Sequence, residues 1–106
     1  MSAASKRPDR SVERILKTLV ETYGAQHPSA RIEAYRYNSA SIRIRITDPD
    51  FKGRNRVERE GAVWPIIEGL PEDDREQIMV LLLITPKEKK TSLMSLEFDK
   101  PTPSRL

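Results

Sequence analysis

Seven consecutive apolar residues, Ile78–Ile84, constrain this chain more than any other feature. The run falls far short of the roughly 20 residues needed to span a bilayer, and it carries no polar position. It reads as a β-strand that is apolar throughout, and such a strand is expected to be covered on both sides or nearly so. With 106 residues in all, the cover has to come from a single domain with one thin core.

The segments on either side supply that cover. Val12, Ile15, Leu16, Leu19, Val20 and Tyr23 recur at steps of three and four and predict a helix over residues 12–23. Asp9 or Ser11 can cap its start, Gly24 is expected to stop it, and His27-Pro28 blocks continuation. Ile32 and Ala34 then alternate with Arg31, Glu33, Tyr35 and Tyr37. After a turn at Asn38-Ser39-Ala40, Ile42, Ile44 and Ile46 alternate with Arg43, Arg45 and Thr47. Period-two alternation across a short turn predicts a hairpin of strands 31–37 and 41–47 with one wet face, ended by Asp48-Pro49-Asp50.

A second helix follows over residues 55–70, with Asn55 and Glu58 set as a capping box. Val63, Trp64, Ile66, Ile67 and Leu70 form its apolar face, and Pro65 predicts a kink or broken turn. Pro71 with Glu72, Asp73 and Asp74 opens a short third helix, and Thr85-Pro86 ends the apolar strand. Residues 87–90 read as a solvated turn or helical fragment. Leu93, Leu96 and Phe98 mark a last docking segment of unassigned type. The predicted fold class is α+β, in the order αββααβ: a three-stranded sheet with helices packed on one face, plus that C-terminal segment. The domain is expected to span residues 9–99, between tails at 1–8 and 100–106.

The chain has no cysteine and one histidine, His27. That removes disulfides, thiolate metal sites and the usual nucleophile–base triads, and His27 before Pro28 suits a surface or capping role. The glycines at 24, 53, 61 and 69 make no phosphate-binding loop. A non-enzymatic protein is predicted, with no cofactor and no metal. No apolar stretch follows the charged N-terminus, so neither a secretory signal nor membrane attachment is expected, and the predicted location is cytoplasmic.

One local pattern resembles the BolA-like family, in which a strand ending in Ser/Asp-Pro leads through Phe-x-Gly to an Arg-x-x-Arg-His helix start. Here the residues are Asp48-Pro49-Asp50-Phe51-Lys52-Gly53, then Arg56-Val57-Glu58-Arg59, then Val63-Trp64 and Ile67. Thr85-Pro86 with Glu88 resembles the family's exit from its third strand. The likeness runs from residue 42 to 88; the first helix and strand fit by order. It implies a KH-like fold of the second type and a monothiol glutaredoxin-type partner with which the family shares a [2Fe–2S] cluster. The family's histidines are absent: Glu60 follows Arg59, and Gln77 stands at the start of the third strand. Lacking imidazole or thiolate there, the chain is expected to provide no cluster ligand.

Two functional readings remain. In the first, Arg43, Arg45, Lys52, Arg54, Arg56 and Arg59 form one basic face for DNA or RNA phosphates or an acidic partner, with Tyr35 and Tyr37 placed to stack on bases. The net charge of +3 favours polyanions weakly. Some members of the family are transcriptional regulators. In the second, the chain is a protein-interaction module for a glutaredoxin-type partner, with strand 78–84 and Trp64 as the docking surface.

Overall fold

In the computed structural model, which describes residues 9–104, the chain opens with helix α1 (Arg10–Gln26). The expected tail at 1–8 lies outside the described residues. Asp9 caps α1 by accepting from the Val12 N–H at 3.1 Å. Ile15, Leu19 and Tyr23, four residues apart, are buried together on one face. The helix does not stop at Gly24. It runs on to Gln26, and the His27 N–H closes it on the carbonyls of Tyr23 and Gly24 just before Pro28, where helical geometry is disfavoured.

Strands β1 (Arg31–Asn38) and β2 (Ser41–Thr47) form the expected antiparallel hairpin, with Ile32 opposite Ile46 and Ala34 opposite Ile44. A 3₁₀ turn over Pro49–Phe51 follows, capped by the Asp48 carboxylate on the Asp50 N–H at 2.9 Å. Phe51 is buried in the core. Gly53, at φ 79°, takes a left-handed conformation that costs a residue with a Cβ. Helix α2 (Arg56–Glu68) begins with the Asn55–Glu58 capping box and runs unbroken through Pro65. The expected broken turn is not seen. Pro65, having no N–H, cannot donate to the Gly61 carbonyl.

Helix α3 (Glu72–Arg75) leads into β3 (Ile78–Ile84), and α4 (Pro86–Thr91) and α5 (Leu93–Asp99) complete the order. The strand order is β1-β2-β3, with β3 parallel to β2. The αββααβ layout of an α+β domain is therefore observed. Ile42, Ile44 and Ile46 on the central strand are fully buried against Ile15, Leu19, Val63 and Ile67 of α1 and α2. Each such side chain contributes roughly 1.5–3 kcal/mol on burial. Arg14 ties α1 to α3, donating through Nε and Nη2 to the buried Asp74 carboxylate at 2.7 Å each.

Two expectations need correction. The C-terminal segment proves to be two short helices, and α5 packs on the face of the hairpin that the alternation left wet. Furthermore, β3 is not covered on both sides. It is the outer strand of the sheet, with Met79 61 % exposed and only Leu83 and Ile84 buried. Its apolar run reflects cover above and below the strand near its end, which leaves the strand's lateral edge open.

Candidate functional site

The strand residues of the predicted basic face are held under α5. Arg45 keeps 1 % exposure. Its guanidinium donates to Glu33 at 3.0 and 3.2 Å, to the Asp99 carboxylate at 2.9 Å and to the Ser95 hydroxyl at 2.9 Å. It also lies over the Phe98 ring, 4.5 Å from the centroid. Arg43 pairs with Glu97 and stacks 3.6 Å above the Tyr37 ring. The Tyr35 hydroxyl donates to the Phe98 carbonyl at 2.7 Å, and that of Tyr37 to the Thr102 carbonyl.

The expectation that these four residues face solvent is therefore corrected: they point away from the core, as the alternation requires, into a second packed layer. The partners that hold them, Ser95, Glu97, Phe98 and Asp99, were missed as functional groups. Only Glu33 was legible, since hairpin register sets it opposite Arg45. The Arg45 guanidinium holds the Asp99 carboxyl below its ordinary range. The Thr102 N–H and then Arg43 do the same for Glu97.

The loop and helix residues fare differently. Arg59 turns inward, donating to both Glu88 carboxylate oxygens at 2.6 and 3.2 Å and to the Leu83 carbonyl at 3.1 Å. Arg59, followed by the Thr85 N–H, holds the Glu88 carboxyl below its usual range. Arg56 is 89 % exposed at the side chain and reaches Glu60 at 2.9 Å. Lys52 and Arg54 are exposed, and among the described residues neither meets an acid at ion-pair distance. The single continuous basic face thus separates into a buried pair, an inward-turned Arg59, and an accessible cluster of Lys52, Arg54 and Arg56.

Arg54 stands at one end of a groove between α2 and the outer edge of β3, Arg56 stands where its two halves meet, and Lys52 lies just outside it. Two adjoining hollows of about 520 and 480 Å³ make it up, sharing Arg56, Glu60 and Leu81. The hollow towards Ile78 is walled by Trp64 and Met79, and that towards Leu83 by Arg54, Arg59 and Met94. Trp64, expected on the apolar face of its helix, is 44 % exposed. Gly61 lines the same wall.

Main-chain direction along β3 is fixed at both edges. The Ile84 carbonyl accepts from the Asp48 N–H at 2.9 Å, so the even-numbered residues towards the end of β3 turn their peptide groups to β2. Alternation turns those of Leu81 and Leu83 outward, the side from which Arg59 reaches the Leu83 carbonyl.

A third cluster sits where α1 meets the loop after β2. His27 Nδ1 lies 2.9 Å from Asp50 Oδ2 and 3.3 Å from Asp48 Oδ2, and its ring stacks on Tyr23 at 4.1 Å. Among the described residues this is the one trio of histidine and carboxylates spaced to hold a metal. Asp48 and His27 already have structural duties, while among the described residues the exposed Asp50 carboxylate meets only the His27 ring. Asp48 caps the 3₁₀ turn and accepts from the buried Tyr23 hydroxyl, whose pKa burial and then Asp48 push upward. His27 ends α1 as expected.

Compared with protein-family models, curated proteins and solved structures, the chain finds no significant match. Among the described residues, no helix is long and apolar enough to cross a membrane.

Proposed function

We propose that the protein is a non-enzymatic interaction module that receives a protein partner in the groove between α2 and β3. One observation carries this reading: an uncharged seven-residue strand forms the sheet's outer edge. Natural sheets usually blunt such edges with charges, proline or a covering element, because open edges invite pairing with other chains. Outer strand β1 obeys that rule, carrying Arg31, Glu33 and Arg36. Strand β3 does not; its own Met79 is exposed, and the exposed Trp64 stands beside it. Large exposed aromatic residues beside an apolar groove are typical anchors of an interface.

The resemblance to the BolA-like family supports a glutaredoxin-type partner, without cluster ligands from this chain. Nucleic-acid binding ranks second, resting on Lys52, Arg54 and Arg56. A pull-down from native lysate tests the order, with and without nuclease, using the wild type and the double variant Trp64→Ala, Met79→Ala. A protein retained after nuclease by the wild type and lost by the variant is expected. Retention that needs intact nucleic acid, or that the variant matches, would remove the groove reading.

A further inference from the structure

We infer that β3 takes up an extended, acid-bearing segment of a partner protein as a fourth strand of the sheet. This rests on the groove reading and adds the mode of recognition and the partner's chemistry. The outward main chain of Leu81, together with the Leu83 N–H, offers an unfilled ladder, and strand addition is how exposed edges bind extended peptides. Arg59 already occupies the Leu83 carbonyl, so the ladder ends there. The register slip between β2 and β3 at Ile42/Arg43 disturbs pairing near Ile78, which limits the ladder at its other end.

The walls of the groove specify side chains. An added strand would lie with alternate residues against Trp64 and the α2 wall, and the intervening ones towards Met94 of α5. At the Ile78 end Trp64, Ile78, Met79 and Val80 line the groove beyond the Arg56–Glu60 pair, which suits a β-branched or aromatic residue. At the Leu83 end Arg54 and Arg59 gather, with Arg56 between the two halves. Glu60 and Glu88 are already engaged by Arg56 and Arg59, so among the described residues Arg54, and Lys52 just outside the groove, meet no acid at ion-pair distance. Aspartate or glutamate at that end of the incoming strand would complement them. A second copy of this chain offers a β3 with no acid in it, and therefore matches the groove less well than a partner with apolar residues at one end and acids at the other.

The test uses the whole protein and a displayed library of random decapeptides. The best peptide is then synthesised with each backbone amide N-methylated in turn, and affinities are read by fluorescence anisotropy. Enrichment of alternating apolar sequences with acids towards one end is expected. N-methylation of the one peptide amide that meets the Leu81 carbonyl should weaken binding by about tenfold or more, and of the other amides by less than about threefold, because the Leu83 carbonyl is already taken by Arg59. Affinity should also fall as salt rises. Uniform tolerance of N-methylation would overturn strand addition, and so would enrichment of uncharged or basic peptides. An empty selection would do the same, even with a partner captured from nuclease-treated lysate and lost by the groove variant; only the groove reading would then survive. Self-association that peptide cannot displace would assign the edge to a second copy and overturn the proposal.

Discussion

Arg45 and Asp99, 54 residues apart in the chain, meet at 2.9 Å on the far side of the sheet from the apolar core. With Glu33 and Ser95 they turn a hairpin face that alternation marks as wet into the seat of the C-terminal helix. The same ion cluster engages the Arg45 guanidinium fully, whereas the α2–β3 groove keeps accessible apolar and charged walls.

Arg45→Ala should therefore act as a core substitution. It removes the hydrogen-bonding partner of half-buried Glu33 and of the buried Ser95 hydroxyl, while Asp99, 49 % exposed at the side chain, keeps its access to water. A loss of roughly 1–3 kcal/mol is expected, the usual cost of leaving a buried polar group without its partner. Arg45→Met, which keeps the stem over Phe98, should lose less. Urea unfolding of the three proteins checks both statements. A cost within about 0.5 kcal/mol for the alanine variant, as for an ordinary surface change, would contradict the buried cluster.

Stability should fall in acid. Hydrogen bonds from Arg36, Arg14, Arg59 and Arg45 depress the carboxyls of Asp9, Asp74, Glu88 and Asp99 respectively. A carboxyl with a depressed folded pKa stabilises the fold fully above its unfolded value, and that contribution disappears as pH drops through the folded value. The urea midpoint is thus expected to be level above about pH 5 and to decline below about pH 4. Asp74→Asn should make the decline shallower while lowering stability near neutrality. An acid limb unchanged in this variant would show that the Arg14–Asp74 pair contributes nothing to it.

Binding to duplex DNA should depend weakly on salt. Six phosphate contacts from the whole predicted basic set would give a log–log slope of about −5, whereas contacts by Lys52, Arg54 and Arg56 alone give about −3 at most. Anisotropy titrations across a salt series separate the two. A slope near −5 would mean that Arg43, Arg45 and Arg59 leave their carboxylates to bind phosphate.

Trp64, the chain's single tryptophan, reports on the groove. Its half-open setting predicts a red emission maximum in the free protein and a shift to the blue when the groove is filled. Trp64→Ala should alter stability by less than about 1 kcal/mol, because its surroundings are already partly wet. Emission unmoved by a bound peptide would place that peptide elsewhere.

Local patterns carried most of the fold. The four-residue spacing of Ile15, Leu19 and Tyr23, the alternation of Ile42, Ile44 and Ile46, and the Asn55–Glu58 cap are short-range signals, and each produced the element it predicted. What they could not convey was lateral placement. Nothing in the run Ile78–Ile84 tells whether its neighbours lie on one side or two, since apolar cover above and below a strand is independent of its in-plane partners. The fate of Arg43 and Arg45 was hidden for a related reason. Their counter-charges, Glu97 and Asp99, lie on a seven-residue helix too short for a clear period of its own, and its docking depends on contacts distant in sequence. Trp64 and Ile78–Ile84, named from the sequence as a candidate docking surface, do line the groove; Met94 and Glu88, which complete its walls, were not legible.

Residue-resolved amide exchange tests the open edge most directly, on the free protein and again with the selected decapeptide bound. In the free protein the amides of Leu81 and Leu83 should exchange quickly, while those of Val80 and Leu82, turned towards β2, should be protected. Peptide should slow Leu81 and Leu83 selectively. Uniform protection along β3 in the free protein, or peptide-induced protection that bypasses both leucines, would contradict an edge built to receive a strand.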